Sequence, residues 1–109
     1  MVHVKDVAEA LVRALEASHA GHLIPHPVEV GPEVSATVNE VAEQVVASAF
    51  IQNVHVPPAE GPTIVHLPMR PGEELGAVVK ADTSTLGALG MDPAKLIDLR
   101  TGLGDTVKW

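Results

Sequence analysis

Apolar and polar positions fall into short bursts along the chain, some at helical spacing and some alternating, with glycine and proline between them. Val2-His3-Val4 alternates and predicts a very short strand. Asp6 then stands in capping position, with Glu9 three residues on to complete a capping box. Val7, Leu11, Ala14, Leu15 and Ser18 recur at helical spacing and predict a buried stripe, and Gly21 ends that helix. Glu9 and Arg13 lie one turn apart on its outer face. Pro25-His26-Pro27 excludes helix. Val28-Glu29-Val30 reads as a strand closed by Gly31-Pro32. Thr37 and Glu40 form a second capping box. The helix they start runs from Val38 to about Phe50, with Val38, Val41, Ala42, Val45, Val46 and Ala49 on one face.

The second half continues in the same manner. Val54-His55-Val56 is a strand stopped by Pro57-Pro58, Ala59 to Pro62 is a turn, and Thr63 to Leu67 is another strand. Residues 74–80 read as a loop or strand ending in Val78-Val79. Asp82 caps a short helix through Leu89, closed by Gly90, and Met91-Asp92-Pro93 turns the chain. A last helix spans about Asp98 to Trp109, with Leu99, Leu103, Thr106 and Val107 on one face and Gly102 and Gly104 weakening it. Together these elements predict a single domain over 1–109, α/β or α+β, with about four helices on a small sheet whose edges need cover.

Composition narrows the chemistry. The chain is 109 residues long and 46% hydrophobic, yet Phe50 and Trp109 are its only aromatic residues. Its core is therefore built from Val, Leu, Ile and Ala, which bury less area per residue than aromatic side chains. Such a core predicts modest stability, or stability borrowed from a partner. With a formal net charge of −7 and seven Lys and Arg in no cluster, the chain is a poor match for nucleic acid or an anionic membrane. Cysteine is absent, which removes disulfides, thiolate metal sites and cysteine nucleophiles. There is no long apolar run and no secretory pattern, so a cytoplasmic location, or one within an assembled particle, is expected.

The stretch Val65-His66-Leu67-Pro68-Met69-Arg70-Pro71-Gly72-Glu73 carries the main candidate site. Arg70 stands beside a proline-guarded turn, where a guanidinium can grip a phosphate or carboxylate. The competing reading is a surface arginine paired with Glu73. His19, His22 and His26 invite a metal, but their H-x-x-H-x-x-x-H spacing does not put all three on one helical face, so no metal or cofactor is expected. His3, His55 and His66 read as structural or surface positions. Serines 18, 35, 48 and 84 lie in no nucleophile elbow, and the acids form no evident catalytic pair, so no catalytic residue is assigned.

In order, these signals resemble the C-terminal part of the extended short-chain dehydrogenase/reductases, the nucleotide-sugar epimerase/dehydratase family. Val2-His3-Val4-Lys5-Asp6-Val7-Ala8 is similar to the family's phe-val-his-val-x-asp-val-ala segment, with Met1 at the aromatic position. Val28-Glu29-Val30-Gly31 is similar to its last core strand, with Glu29 replacing the usual asparagine, and Thr37-Val38-x-Glu40-Val41-Ala42 resembles the helix that follows. Arg70-Pro71-Gly72-Glu73 resembles the arg-x-gly-acid turn. Asp82 through Leu89-Gly90-Met91-Asp92-Pro93, with Met91 at an aromatic position, is similar to the next segment. Leu99-x-x-Gly102-Leu103-x-x-Thr106-Val107-x-Trp109 resembles the closing helix.

The resemblance implies that Arg70 descends from a clamp on the diphosphate of a nucleotide sugar, with Glu73 near the nucleotide. It also implies a chain equivalent to roughly the last third of such an enzyme. The dinucleotide fingerprint is missing, since Gly102-Leu103-Gly104 follows no strand, and a chain without tyrosine has no tyr-x-x-x-lys. The expected function is thus a non-catalytic binding or structural module that self-associates, meets a protein partner over an exposed apolar face, or joins a larger assembly such as a virus shell. The alternative is the substrate-binding subunit of a split NAD-dependent epimerase, with Arg70 holding the sugar nucleotide.

Overall fold

The computed structural model describes residues 1–52, 63–74 and 76–109. The chain forms two compact units. The first is made of 1–35 and 80–99, the second of 36–79 and 100–109. Among the described residues there is helix but no strand, so the expected α/β or α+β arrangement with a small sheet is replaced by an all-α one. The α-helices are α1 (Val4–His19), α2 (Val38–Ile51) and α3 (Leu99–Lys108), with 3₁₀ helices at Thr83–Leu89 and Pro93–Lys95. No helix among the described residues is long and apolar enough to cross a membrane.

In the first unit, α1 starts three residues ahead of the expected Asp6 cap. His3 is the cap: its Nδ1 accepts the Lys5 N–H at 3.2 Å and its carbonyl accepts the Asp6 and Val7 N–H groups. Val4, expected to close a strand, is the first helical residue. The helix ends as Gly21 predicts. Gly21 N–H donates to the Ser18 carbonyl and His22 N–H to the Ala17 carbonyl, the paired bonds of a Schellman motif.

The phase of α1 also differs from the expected stripe. Asp6 and Ala10 are buried, with Val7, Arg13, Ala14 and Ala17 half-buried, while Leu11, Leu15 and Ser18 of the expected stripe are exposed. The inward face is thus displaced by one residue, about 100° around the helix. Ala10 lets α1 sit close against the 3₁₀ helix Thr83–Leu89. There Leu86, Leu89 and Met91 complete the core, with Ala14, Ile24, Val28, Val30 and Leu96 packed around it.

That 3₁₀ helix is punctuated as the sequence predicts. The Asp82 carboxylate accepts the Ser84 hydroxyl and the Ser84 N–H, the latter at 3.1 Å, and these donors hold it below the ordinary aspartate range. At the other end Gly90 takes φ 64°, where an L side chain is strained. Gly90 N–H reaches the Gly87 carbonyl and Met91 N–H the Leu86 carbonyl, so a second Schellman motif folds Met91 back onto Leu86.

The expected strand Val28-Glu29-Val30 keeps its alternation without its ladder. Val28 and Val30 pack on the core and Glu29 is exposed. Side chains take over the hydrogen bonding: Glu29 N–H donates to Thr85 Oγ1 at 2.9 Å, and the Glu29 carboxylate accepts the Asp82 N–H at 2.7 Å. The four residues between Pro27 and Pro32 offer few ladder bonds, and the flanking prolines cannot extend the ladder. Gly31 is buried where the two segments meet, and a Cβ there would lie 2.7 Å from the Ala81 Cβ.

In the second unit the Thr37–Glu40 capping box is present in full. Glu40 N–H donates to Thr37 Oγ1 at 3.2 Å, and Thr37 N–H donates to Glu40 Oε2 at 2.6 Å. The Thr37 backbone and hydroxyl donors hold the Glu40 carboxyl below the ordinary glutamate range. Ser48 is the buried residue of α2; Val41, Ala42, Val46 and Ala49 are half-buried, and Val38 and Val45 of the expected face are exposed. The Gln52 side-chain amide donates to the Gly104 carbonyl at 2.7 Å and fastens the end of α2 to α3, whose Gly102 and Leu103 are buried. Thr63 to Leu67 has no regular structure, nor do the described residues of 74–80. The expected strand at 54–56 and turn at 59–62 lie outside the described residues.

Gly31→Ala is expected to cost about 1–3 kcal/mol in urea unfolding through overpacking against Ala81. Adding Ala81→Gly removes the opposing methyl, and most of that loss should return.

Candidate functional site

The turn at Arg70 is built as its residues dictate. Pro71 and Gly72 occupy its middle, and Gly72 takes φ 90°, the left-handed conformation that the third residue of a type II turn requires. Glu73 N–H donates to the Arg70 carbonyl at 3.1 Å, and Arg70 N–H donates to Glu73 Oε2 at 3.0 Å. The two side chains approach to 3.6 Å between Arg70 Nε and Glu73 Oε1. The turn therefore brings both candidate residues together, as an i,i+3 pair. The Arg70 side chain is 86% exposed, so water screens any anion it meets.

A second polar cluster lies in the first unit, where sequence spacing gave no warning of it. Asp6, Glu9, Arg13, Gly90, Met91 and Lys95 are among the residues lining an open groove of about 120 Å³. Arg13 is its centre. Its Nε and Nη2 donate to Glu9 Oε1 at 2.8 and 2.7 Å, the i,i+4 pair that the sequence does show. Its Nη1 donates to the carbonyls of Leu89 and Gly90 at 3.3 and 3.2 Å, across 76 and 77 residues of chain. One side chain thereby ties α1 to the C-terminal end of the 3₁₀ helix.

Asp6 does the same work about two turns away. Its carboxylate, buried in the first turn of α1, accepts the Ile97 N–H at 3.1 Å. Asp92 Oδ1 accepts the Ala94 N–H and caps the 3₁₀ turn Pro93–Lys95. Asp6, Glu9, Arg13 and Asp92 are all engaged in holding segments together, and none is aimed at a reacting centre with a free partner beside it. The groove is best understood as the seam of a structural network.

The other candidates do not converge. His19, His22, His26 and His66 are exposed, and among the described residues no group of three His, Cys, Asp or Glu could hold a metal ion. His26 Nδ1 lies 3.2 Å from the Pro27 carbonyl. His55 lies outside the described residues. Ser48 is buried in α2, and Ser84 is committed to Asp82.

No protein-family model, curated protein or solved structure matches the chain. The expected resemblance to the epimerase/dehydratases thus has no support from these comparisons.

Arg13→Met keeps most of the apolar stem but removes every donor, leaving the Leu89 and Gly90 carbonyls without it. The expected loss is about 1–2 kcal/mol of unfolding free energy. Glu9→Gln, which disturbs only the half-exposed ion pair, should cost no more than about 0.5 kcal/mol. Urea titration of both variants checks the order.

Proposed function

We propose that the chain is a non-catalytic interaction module, of the kind expected from the C-terminal lobe of an epimerase/dehydratase without its nucleotide-binding part. One observation carries this reading: α1 turns its large apolar residues outward. Val4, Leu11 and Leu15 are 74%, 67% and 71% exposed, while the smaller Ala10 is buried. Burying a leucine side chain is worth about 1.5–3 kcal/mol, so a helix that buries alanine and exposes leucine has left its larger stabilisation unused. Exposed apolar rows of this kind mark surfaces that meet another body.

Light scattering across concentration tests the reading. A mass above the 11.4 kDa of one chain, or a stoichiometric protein accompanying it through purification, is the expected result. A chain that stays at 11.4 kDa at every concentration and travels alone would sink it.

The split-enzyme alternative places a nucleotide sugar at Arg70. The pairing of Arg70 with Glu73 and the openness of the turn disfavour tight binding there by this chain alone. Calorimetric titration with nucleotide sugars is expected to give no saturable heat up to millimolar concentration, in wild type and Arg70→Ala alike. Saturable binding lost in Arg70→Ala would revive the alternative.

A further inference from the structure

The two α-helices of the second unit differ sharply in what supports them. α2 has 14 residues, no glycine and a complete capping box. α3 has 10 residues, and Gly102 and Gly104 stand in its interior. Each interior glycine shifts the helix–coil balance about four- to fivefold toward coil relative to alanine. A helix shorter than about 12–15 residues is marginal in water even with good helix formers. The Thr106 hydroxyl donates to the Gly102 carbonyl at 2.9 Å, a back-bond of the kind that bends helices. The Trp109 side chain, just beyond the end of α3, is fully exposed and anchors nothing. α3 therefore owes its helical state to what it docks against.

We propose that α3 is a strap that opens and closes as a local unit while α2 stays folded, and that Gln52 is its latch. Gln52 is the C-cap residue of α2, and its N–H donates to the Ser48 carbonyl at 3.1 Å, so the well-formed helix fixes where its side chain starts. From there the side-chain amide donates to the Gly104 carbonyl at 2.7 Å, across 52 residues of chain. The latch thus grips α3 at its weakest stretch, beside the two glycines. The bond is partly buried, which limits competition from water. It is also a single neutral hydrogen bond, which biases an equilibrium by about tenfold or less and so leaves the strap able to open. Gly102 and Leu103, next to the latch, are buried when the strap is closed. Opening carries the Leu103 side chain into water, so the strap sets how much apolar surface the second unit presents. This goes beyond the interaction-module reading and does not depend on it.

Amide hydrogen exchange on the full chain, read residue by residue by NMR in low concentrations of urea, tests the strap. In wild type the amides of 103–108 are expected to be less protected than those of α2. Their exchange should respond little to urea, because opening one short helix exposes little surface. Gln52→Met keeps the length of the side chain and removes the donor, and should lower protection at 103–108 by about three- to tenfold. Gly104→Ala has room, since its Cβ would lie 3.8 Å from Gln52 Nε2, an ordinary contact. It should raise protection at 103–108 by about four- to fivefold, and combined with Gln52→Met it should return protection to near the wild-type level. In every variant the α2 amides should stay better protected than those of α3, which separates strap opening from loss of the fold. Protection at 103–108 that matches α2 in size and in urea dependence overturns the strap, because the two helices then open together. Protection at 103–108 that is indifferent to Gln52→Met overturns Gln52 as the latch.

Discussion

The first unit depends on Arg13. Its core is small, with Leu86 the one large side chain fully enclosed, and the segments that build it come from opposite ends of the sequence. Dispersion and burial among Ala10, Leu86, Leu89 and Met91 are non-directional and leave the relation of α1 to the 3₁₀ helix loosely specified. The guanidinium specifies it. Arg13 donates in one direction to Glu9 on its own helix and in the other to two carbonyls at a helix end, groups that otherwise have no intrahelical donor. A planar fork with fixed donor directions does this where a flexible lysine ammonium would not. Asp6, accepting from Ile97, fastens the same helix at a second point. Two directional fixings about two turns apart fix both position and rotation, and they fix α1 with Ala10, Ala14 and Ala17 inward.

That rotation explains which parts of the structure were legible in the sequence. Features settled within a few residues were readable: the Thr37–Glu40 capping box, the Asp82 cap, the stops at Gly21 and Gly90, and the Arg70–Glu73 pairing across Gly72. Each depends on local hydrogen bonds and on φ values that neighbouring residue types determine. The phase of α1 was not readable. Hydrophobic periodicity marks the face that prefers to leave water, without saying whether the chain's own core or another body receives it. On α1 the leucine row and the alanine row are distinct, and Arg13 decides between them through partners 76 and 77 residues away. No spacing rule reaches that far.

The missing sheet has a related cause. Val28 and Val30 do point the same way, as a strand pattern requires, so the side-chain period was read correctly and the backbone partner was not. A strand is defined by what lies beside it. Glu29 and Thr85 supply hydrogen bonds from side chains, and with them satisfied the backbone has no need of a ladder at those groups.

The same reasoning bears on where function resides. A site made of exposed charges, such as Arg70 with Glu73, holds its members together by turn geometry but gives a ligand little beyond a screened contact. The Arg13 groove is better ordered, yet its ordering is spent on its own carbonyls and amides. What neither site uses is exposed apolar area, part of which lies along Val4, Leu11 and Leu15. On a chain carrying seven net negative charges, indiscriminate association through such residues is opposed by long-range repulsion.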